Sequence, residues 1–388
     1  MAQIVGAFGV PHNPHFPALA ATADTPLADE VRRMYGGVVR HLAAVGPDAI
    51  IFFTSDHYNS FWRQIPIFAI GAAPAGRGPS DYPDLPTREV PIDAALARHV
   101  HGSTVAAGFD VGVCQEVVFD HTVTAPLAFL TPGYAVPVVP VYVNGLIRPI
   151  PSSARCFALG RAVAAAVASY PADLRVAVVA SGSFSLEIGG PRIFDDHHTG
   201  VPDPGWLDRV LALLRSGDTG QIVREATDEQ LWRAGNAGGE LLNWLAMFGA
   251  APARAPAFLD VQPRFGHAYA AWPCGTGEGR AVRQPAVDVH PVNEVCYRVV
   301  HEPDFRRALR DDPAGTLREV RPALAGDQLD ALLAGDVGTL SRMGANNFML
   351  HNLARFEVLG LDLVSYAERI RAEYAGERAR WRRGEQVF

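Results

Sequence analysis

The stretch that decides the fold is Ala49-Ile-Ile-Phe-Phe-Thr-Ser-Asp-His57. Its apolar part, Ile50–Phe53, is β-branched and aromatic, which is typical of a strand buried on both faces of a parallel sheet. The polar residues that follow put His57 in the loop at the carboxyl end of this strand, where open α/β sheets bind their ligands. The stretch therefore predicts a central parallel strand with a functional residue at its end.

Other predicted strands also run directly into polar or small residues. The strands predicted on this basis are Ile4–Val10, Ile50–Phe53, Val111–Val118, Val136–Val143 and Leu174–Ala180. His12 follows the first of them, His121 follows the third, and the small-residue loop Ser181–Gly190 follows the last. Because parallel strands end at one edge of their sheet, we expect these groups to lie near His57.

Helical signals alternate with these strands. Thr25-Pro26 is typical of an N-cap and a first helical residue, and it opens a helix that completes a β-α-β unit with the central strand. Residues 72–91 are rich in Pro, Gly and Asp and predict a long surface excursion. Glu240 is expected inside a mostly apolar helix over Asn236–Met247, where a carboxylate is costly unless it is paired or binds a metal.

The length of the chain predicts more than one domain. Its 388 residues exceed the roughly 250–300 that one hydrophobic core supports. The alternation of strands and helices predicts a three-layer α/β/α catalytic domain with a mixed, mainly parallel sheet over residues 1–282. A linker at 283–292 is expected to lead to a small all-α domain at 293–374, and a charged tail follows at 375–388.

Charge and cysteine content indicate which kinds of partner the protein binds. The net charge is −7 with both signs interspersed, so the sequence has no basic stripe for nucleic acid and no polybasic membrane patch. Its four cysteines lack a C-x-x-C spacing, which argues against a zinc knuckle or a disulfide scaffold and favours idle thiols in a reducing cytoplasm. We therefore expect a cytoplasmic protein with a small-molecule partner and no membrane span.

His12, His57 and Glu240 form a candidate metal site. Two imidazoles and one carboxylate match the facial triad of non-haem Fe(II) sites, which leaves coordination positions open for substrate and O2. Alternatives stay open at this point, because a histidine at a strand end is more often a hydrogen-bonded loop residue than a ligand. Glu240 would lie at the surface if its helix were rotated.

Four motifs resemble those of a known family. They are Pro11-His12-x-Pro14, Ser55-Asp56-His57, Asp120-His121-Thr122 and Gly235-Asn236-Ala-Gly-Gly-Glu240. Together they resemble the class III extradiol ring-cleavage dioxygenases of the protocatechuate 4,5-dioxygenase type, over residues 1 to about 282. Residues from about 290 to 373 are similar to the small helical α-subunit of such enzymes. The chain thus looks like the fused arrangement found in gallate dioxygenase.

The resemblance implies a role for each matching residue. His12, His57 and Glu240 would hold Fe(II), with Mn(II) as the alternative ion, and His121 would lie beside the substrate and O2 as an acid/base. The substrate would be a catecholic acid such as protocatechuate or gallate, opened between a hydroxylated carbon and its neighbour. Fused enzymes of this type also imply a homodimer.

The sequence departs from the family at one position. The usual acid/base histidine follows a Gly-Gly-hydrophobic-Ser pattern, whereas Gly182-Ser-Phe-Ser185 is followed here by Leu186, which cannot move a proton. Three candidates could replace this histidine as the acid/base. In order of preference they are His121, Glu187 and one of the pair His197-His198, of which we chose His198. For contact with the substrate we considered Ser181, Ser183 and Arg192.

Two other functions stay open on the sequence alone. A metal-dependent hydrolase, lyase or decarboxylase would keep the metal site without using O2. A non-catalytic homologue that binds an aromatic acid is disfavoured, since such a protein has no need of buried histidine and glutamate ligands.

Overall fold

Strands and helices are interspersed along residues 1–273. The strands are β1 (Gln3–Val10), β2 (Ala49–Thr54), β3 (Phe68–Gly71), β4 (Ala75–Gly78), β5 (Arg88–Pro91), β6 (Val111–Cys114), β7 (Val117–Val118), β8 (Val138–Val143), β9 (Arg175–Ser181), β10 (Glu187–Ile188), β11 (Thr199–Gly200), β12 (Phe258–Gln262) and β13 (His267–Pro273). The helices are α1 (Phe16–Thr22), α2 (Pro26–Val45), α3 (Ala94–Ala106), α4 (His121–Leu130), α5 (Ser153–Ser169), α6 (Pro204–Ser216), α7 (Thr219–Glu225), α8 (Asp228–Arg233) and α9 (Leu241–Ala250).

The computed structural model describes residues 1–79, 81–82, 85–193, 199–251, 253–275 and 287–383. The chain divides into two units, Met1–Ala286 and Val287–Phe388, close to the boundary predicted at 282. Residues 283–286 of the predicted linker lie outside the described residues, and its last part, from His290, already belongs to a helix.

An eight-stranded sheet in the order β12-β13-β1-β9-β2-β8-β3-β6 organises the first unit. The central strands β1, β9, β2 and β8 are parallel, while β13 and β12 add an antiparallel edge. Ile51 and Phe53 of β2 pack into the layer of α3, α5 and α9, whereas Ile50 and Phe52 pack into the layer of α2 and α4. The predicted three-layer fold and its doubly buried central strand are therefore confirmed.

Three local predictions need correction. The apolar run 111–118 is two strands, because β6 joins the large sheet and β7 joins a small sheet of order β5-β4-β7. That small sheet also takes up much of the segment predicted as a surface excursion. Glu240 ends a short 3₁₀ turn, Gly238–Glu240, and precedes α9, so the carboxylate lies at the start of the apolar helix. By contrast, Thr25 caps α2 as predicted, since its side chain accepts a hydrogen bond from the Ala28 amide.

A glycine contact holds α9 against α5. A Cβ atom on Gly160 of α5 would lie 1.8 Å from the carbonyl oxygen of Ala246 in α9, so the two helix backbones touch directly. We expect Gly160→Ala to force the helices apart and to lower the free energy of unfolding by about 1–3 kcal/mol in urea titrations. Because α9 directly follows Glu240, the same change should also weaken metal binding.

Gly102→Ala is the matched control for this variant. Gly102 lies inside α3, and a Cβ atom there would have no heavy atom within 4 Å. Alanine is a better helix former than glycine, so this change should stabilise the protein by about 0.4–1 kcal/mol. If Gly160→Ala and Gly102→Ala changed the free energy of unfolding equally, close packing of α5 against α9 would not explain why residue 160 is glycine.

The second unit is helical throughout its described residues, 287–383, as predicted for this region. Its helices are α10 (His290–His301), α11 (Pro303–Asp311), α12 (Pro313–Arg318), α13 (Gly326–Leu333), α14 (Val337–Arg342), α15 (Asn347–Arg355), α16 (Leu363–Glu373) and α17 (Ala375–Arg382). They enclose a core of their own that includes Val295, Leu332, Leu340 and Leu353. That this unit corresponds to an α-subunit stays a prediction.

Among the residues that the structure describes, we find no helix with the length and apolar character needed to cross a membrane.

Candidate metal centre

His12 and His57 follow the carboxyl ends of two parallel strands of the sheet. β1 ends at Val10 and β2 ends at Thr54, and β9 lies between them and pairs with both. The ring centroids of the two histidines are 5.4 Å apart. His12 is buried, and the side chain of His57 is 18% exposed. The parallel sheet thus brings the two imidazoles together although 44 residues separate them.

Glu240 lies between these two histidines. Its Oε1 atom is 3.1 Å from Nε2 of His12 and 3.3 Å from Nε2 of His57, and the residue is fully buried. Its other oxygen, Oε2, accepts a hydrogen bond from the backbone amide of Ser183 at 3.0 Å. One carboxylate oxygen is therefore held by the backbone, while the other faces both ring nitrogens.

Burial and the two imidazoles oppose each other at Glu240. Burial works to raise the pKa of Glu240, but the charges and hydrogen bonds of His12 and His57 outweigh it and hold the pKa far below its usual value. At His57 burial works to lower the pKa, and the bond to Glu240 with the charges of Asp120 and Glu240 raises it to about 9. Glu240 is thus a buried anion that requires a positive charge beside it.

Hydrogen-bond accounting shows that a metal ion fits this position. Ser181 Oγ donates its only proton to the carbonyl oxygen of Thr122, so Nδ1 of His12, 3.2 Å away, must donate to Ser181. Without a second proton, His12 presents a bare Nε2 to the carboxylate, so the contact of 3.1 Å between two acceptors requires either that proton or a metal ion between them. Two imidazole nitrogens and one carboxylate oxygen are a ligand set that suits Fe(II) and related ions.

Two glycines allow the backbone to approach Glu240. Gly182, directly after β9, has a φ of 146°, and a Cβ atom there would lie 2.8 Å from Cβ of Glu240. A Cβ atom on Gly239 would lie 1.9 Å from the carbonyl oxygen of Gly145, just beyond β8. The small residues of the Ser181–Gly190 loop and of the motif before Glu240 therefore bring three segments of backbone together around the carboxylate.

His121 is the third imidazole of the centre. Metal-binding nitrogens of His12, His57 and His121 lie within 4.8 Å of one another, so His121 is close enough to be an alternative ligand. However, its Nδ1 is 2.5 Å from Oδ2 of Asp81, and its backbone amide donates to Oδ1 of the same residue at 3.2 Å. We favour Glu240 as the third ligand because it is the fully buried anion and has one oxygen directed at both neighbouring imidazoles.

Asp120 ties the loop after β2 to the start of α4. One of its oxygens, Oδ2, accepts the backbone amide of His57 at 2.6 Å, while Oδ1 caps α4 through the amide of Thr122 at 2.9 Å. The Thr122 hydroxyl bonds the same Oδ1. This buried carboxylate thus fixes the backbone of both His57 and His121.

A cavity of about 370 Å³ opens beside the three imidazoles, a size that suits one aromatic ring with substituents. Its wall combines the histidines with apolar side chains, and Asp81, Tyr82 and Arg264 supply further polar groups. The lining residues are His12, Asn13, Pro14, His15, His57, Asp81, Tyr82, His121, Ser183, Leu186, Ile188, Thr199, Gly200, Arg264, Phe265 and His267.

The other candidate residues from the sequence have different positions. Ser183 lines the cavity and Ser181 lies beneath it, bonded to His12. The described cavity wall does not include Glu187 or Arg192. Glu187 Oε2 accepts hydrogen bonds from Arg192 at 3.0 Å and from the amide of Asn236 at 2.7 Å, which suits a structural ion pair. His197 and His198 lie outside the described residues.

Sequence reasoning missed Asp81 and His267. Asp81 belongs to the segment predicted as a surface excursion, where an aspartate carries no signal of its own. His267 begins β13, which pairs antiparallel with β1, with Gly9 opposite Ala270, so His267 lies at the end of the sheet at which β1 leads to His12. An alternating apolar strand that starts with histidine could have drawn attention to it, but its partner strand could not be known.

The bond between Ser181 and His12 leads to a prediction about metal affinity. Ser181→Ala removes the acceptor that orients His12, so we expect metal binding to weaken by about 10- to 100-fold. Titration of the metal-free protein with Fe(II) under nitrogen would measure this. Ser169→Ala is a matched control, because Ser169 bonds the carbonyl of Ala166 at the end of α5, outside the cavity. Equal affinities for the two variants would contradict the orienting role.

A buried carboxylate, three imidazoles and an adjoining cavity are the components of an enzyme active site. Residues 6–267 match the family model described as the catalytic LigB subunit of aromatic ring-opening dioxygenase. The match covers more than half of the chain, and the chain therefore belongs to this family. This confirms the resemblance to class III extradiol dioxygenases found in the sequence motifs.

Curated relatives carry related names. The chain is similar to gallate dioxygenase of Pseudomonas putida, with 34% identity over 180 residues, which are 46% of this chain and 49% of the relative. It is also similar to 2,3-dihydroxyphenylpropionate/2,3-dihydroxicinnamic acid 1,2-dioxygenase of Klebsiella pneumoniae, with 27% identity over 262 residues, 57% of this chain and 82% of the relative. The matched stretch thus spans about half the length of the first relative.

Proposed function

We propose that this protein is an Fe(II)-dependent extradiol dioxygenase that opens the ring of a catecholic acid. The observation that carries the proposal is the position of Glu240 Oε1, 3.1 and 3.3 Å from the Nε2 atoms of His12 and His57, at the edge of a cavity of ring size. Family membership supports the ring-opening chemistry. Mn(II) is the alternative ion, because the ligand types suit both metals.

A bound Fe(II) would supply coordination positions for two ring oxygens and for O2, and a path for electrons between them. The residues of the chain have three separate tasks. His12, His57 and Glu240 hold the ion, and Ser181 and the Ser183 amide orient two of these ligands. Leu186, Ile188 and Phe265 give the cavity an apolar wall against which an aromatic ring can pack.

We assign proton transfer to His121. Its Nδ1 donates to Asp81, so a neutral ring keeps Nε2 free of a proton and able to accept one from a ring hydroxyl. Leu186 lines the same cavity and cannot take part, as its sequence position suggested. The ion pair of Glu187 with Arg192 gives no support to Glu187 as an acid/base or to Arg192 as a substrate ligand.

For the acidic group of the substrate we propose Arg264, which lines the cavity and was not singled out in the sequence. Its guanidinium stacks on Phe265 with 5.0 Å between its central carbon and the ring centroid, and it also pairs with Glu30. Ser183 is the remaining serine candidate for substrate contact, since Ser181 is fully buried. The homodimer and the cytoplasmic location stay predictions.

O2 uptake by anaerobically Fe(II)-loaded protein, measured against a panel of catecholic acids, tests the proposal. We expect uptake that depends on both iron and a catechol and that yields a coloured ring-opened product. Stoichiometric iron binding without catechol-dependent uptake would contradict a dioxygenase. That result would favour the redox-neutral metal chemistry that the sequence left open.

A further inference from the structure

Part of the cavity wall belongs to a small sheet that is separate from the eight-stranded one. β10 and β11 pair antiparallel, with Ile188 opposite Thr199, and no further strand joins them in the described part of the chain. Ile188, Thr199 and Gly200 line the cavity, together with Leu186 just before β10. Two paired strands are only marginally stable alone, so the position of this wall depends on what else holds β10.

Asn236 pairs with β10 much as a neighbouring strand would. Its Oδ1 atom accepts the backbone amide of Ile188 at 2.9 Å, and its Nδ2 atom donates to the carbonyl oxygen of Ile188 at 2.8 Å. The backbone on either side of Asn236 extends this pairing to Leu186. The amide of Leu186 donates to the carbonyl of Ala234 at 2.8 Å, and its carbonyl accepts the amide of Ala237 at 3.1 Å.

Glu187 fastens the same wall a second time. The residue is 1% exposed, and its Oε2 atom accepts the backbone amide of Asn236 at 2.7 Å. Gly235 permits this close approach, since its φ is 119° and a Cβ atom there would lie 2.0 Å from the carbonyl oxygen of Leu186. Asn236 is therefore bonded to β10 through its backbone and through both ends of its side-chain amide.

Ile188 is the side chain through which Asn236 can act on a substrate. Ile188 is apolar and lines the cavity, yet it is 49% exposed. An exposed apolar side chain in a cavity wall gains free energy when an aromatic ring covers it and removes it from water. The described cavity wall does not include Asn236, so its effect on a ring must pass through the wall that it supports.

We propose that Asn236 is a positioning residue that holds Ile188 against the aromatic ring of the substrate and so sets the affinity for that ring. The proposal rests on the proposed function, because it assumes that an aromatic ring occupies the cavity. The third metal ligand is held by other contacts, since the Ser183 amide and two imidazoles bond the carboxylate of Glu240. Asn236 thus affects binding of the ring and leaves binding of the metal unchanged.

Binding without turnover tests this inference. The protein is loaded with Co(II) under nitrogen and titrated calorimetrically with 3,4-dihydroxybenzoate. Asn236→Ala removes both side-chain bonds to Ile188, and we expect it to weaken ring binding by about 5- to 50-fold. Ile188→Ala removes the apolar contact itself and should weaken ring binding by about 5- to 50-fold as well. The affinity for Co(II) should be unchanged in both variants.

A double variant that carries Asn236→Ala and Ile188→Ala shows whether the first residue acts through the second. Its affinity for the ring should lie within about 3-fold of that of the weaker single variant, because the contact that Asn236 supports is already gone. Losses that multiply would show that Asn236 acts by another route and would overturn the inference. Unchanged ring binding in Asn236→Ala, or an equal loss of Co(II) affinity, would overturn it too.

Gln221→Ala is the matched control, because Gln221 also uses both ends of its side-chain amide. It donates to Glu225 and accepts from Arg224, all on α7 and outside the cavity wall. The control should change neither affinity. Failure of the wild-type protein to bind the ring would overturn the inference. The proposed function is judged separately, since O2 uptake can be absent while the ring binds in this pattern, or present while Asn236→Ala has no effect.

Discussion

Replacement of Glu240 by glutamine should abolish the stabilisation of the protein by metal. The wild-type protein should gain about 2.7 kcal/mol of unfolding free energy when the free metal concentration is 100 times the dissociation constant. Glu240→Gln keeps the shape of the side chain and leaves an oxygen for the Ser183 amide, but it removes the anion that faces His12 and His57. Loss of a residue that only hydrogen-bonds a metal ligand typically weakens metal binding by about 10- to 100-fold. Because Glu240 is itself a proposed ligand, we expect a larger loss of metal affinity in Glu240→Gln.

The measurement is the shift in melting temperature when Fe(II) or Co(II) is added under nitrogen to the metal-free protein. Glu225→Gln is the matched control, because Glu225 forms an ion pair with Arg209 on the surface, outside the cavity. The wild-type protein and the control should melt at higher temperature with metal, whereas Glu240→Gln should not. A shift of wild-type size in Glu240→Gln would instead assign the site to the three histidines.

The fold and the positions of both histidine ligands of the candidate metal centre could be predicted from local sequence patterns. An apolar run followed abruptly by polar residues indicates both a buried parallel strand and the edge at which it ends. This logic correctly placed His12 after β1 and His57 after β2. It needs no knowledge of distant partners, because the parallel strands of one sheet deliver their carboxyl ends to a common edge.

The rest of the site depends on pairings between distant segments. His267 lies in the cavity because β13 pairs with β1 in one particular register, and that register is set by contacts across more than 250 residues. Asp81 reaches His121 from a segment whose composition indicated only loop. Glu187 illustrates the converse, because it was a candidate to replace the histidine missing at Leu186, whereas Arg192 and the Asn236 amide engage its carboxylate.

His121→Gln should lower kcat without loss of the metal. General acid/base assistance is typically worth about 10²–10⁴ in rate, and glutamine can hydrogen-bond but cannot shuttle a proton at neutral pH. We expect a fall in kcat within this range, with metal stoichiometry unchanged because His12, His57 and Glu240 are intact. Steady-state O2 uptake with a parallel iron assay would measure both. Loss of iron together with activity would instead identify His121 as a ligand.

Asp81→Asn separates the orientation of His121 from its presence. The carboxylate accepts the proton of Nδ1, whereas the amide nitrogen of the substituted side chain can donate to Nδ1 and so shift the imidazole proton to Nε2. That tautomer cannot accept a proton from the substrate at Nε2, so kcat should fall in Asp81→Asn although His121 is present. Nitrogen chemical shifts of His121 by NMR would report the tautomer directly. Asp29→Asn, at an exposed ion pair with Arg32, is the matched control and should change neither the shifts nor kcat. An unchanged His121 tautomer together with reduced kcat would show that Asp81 acts on the substrate itself.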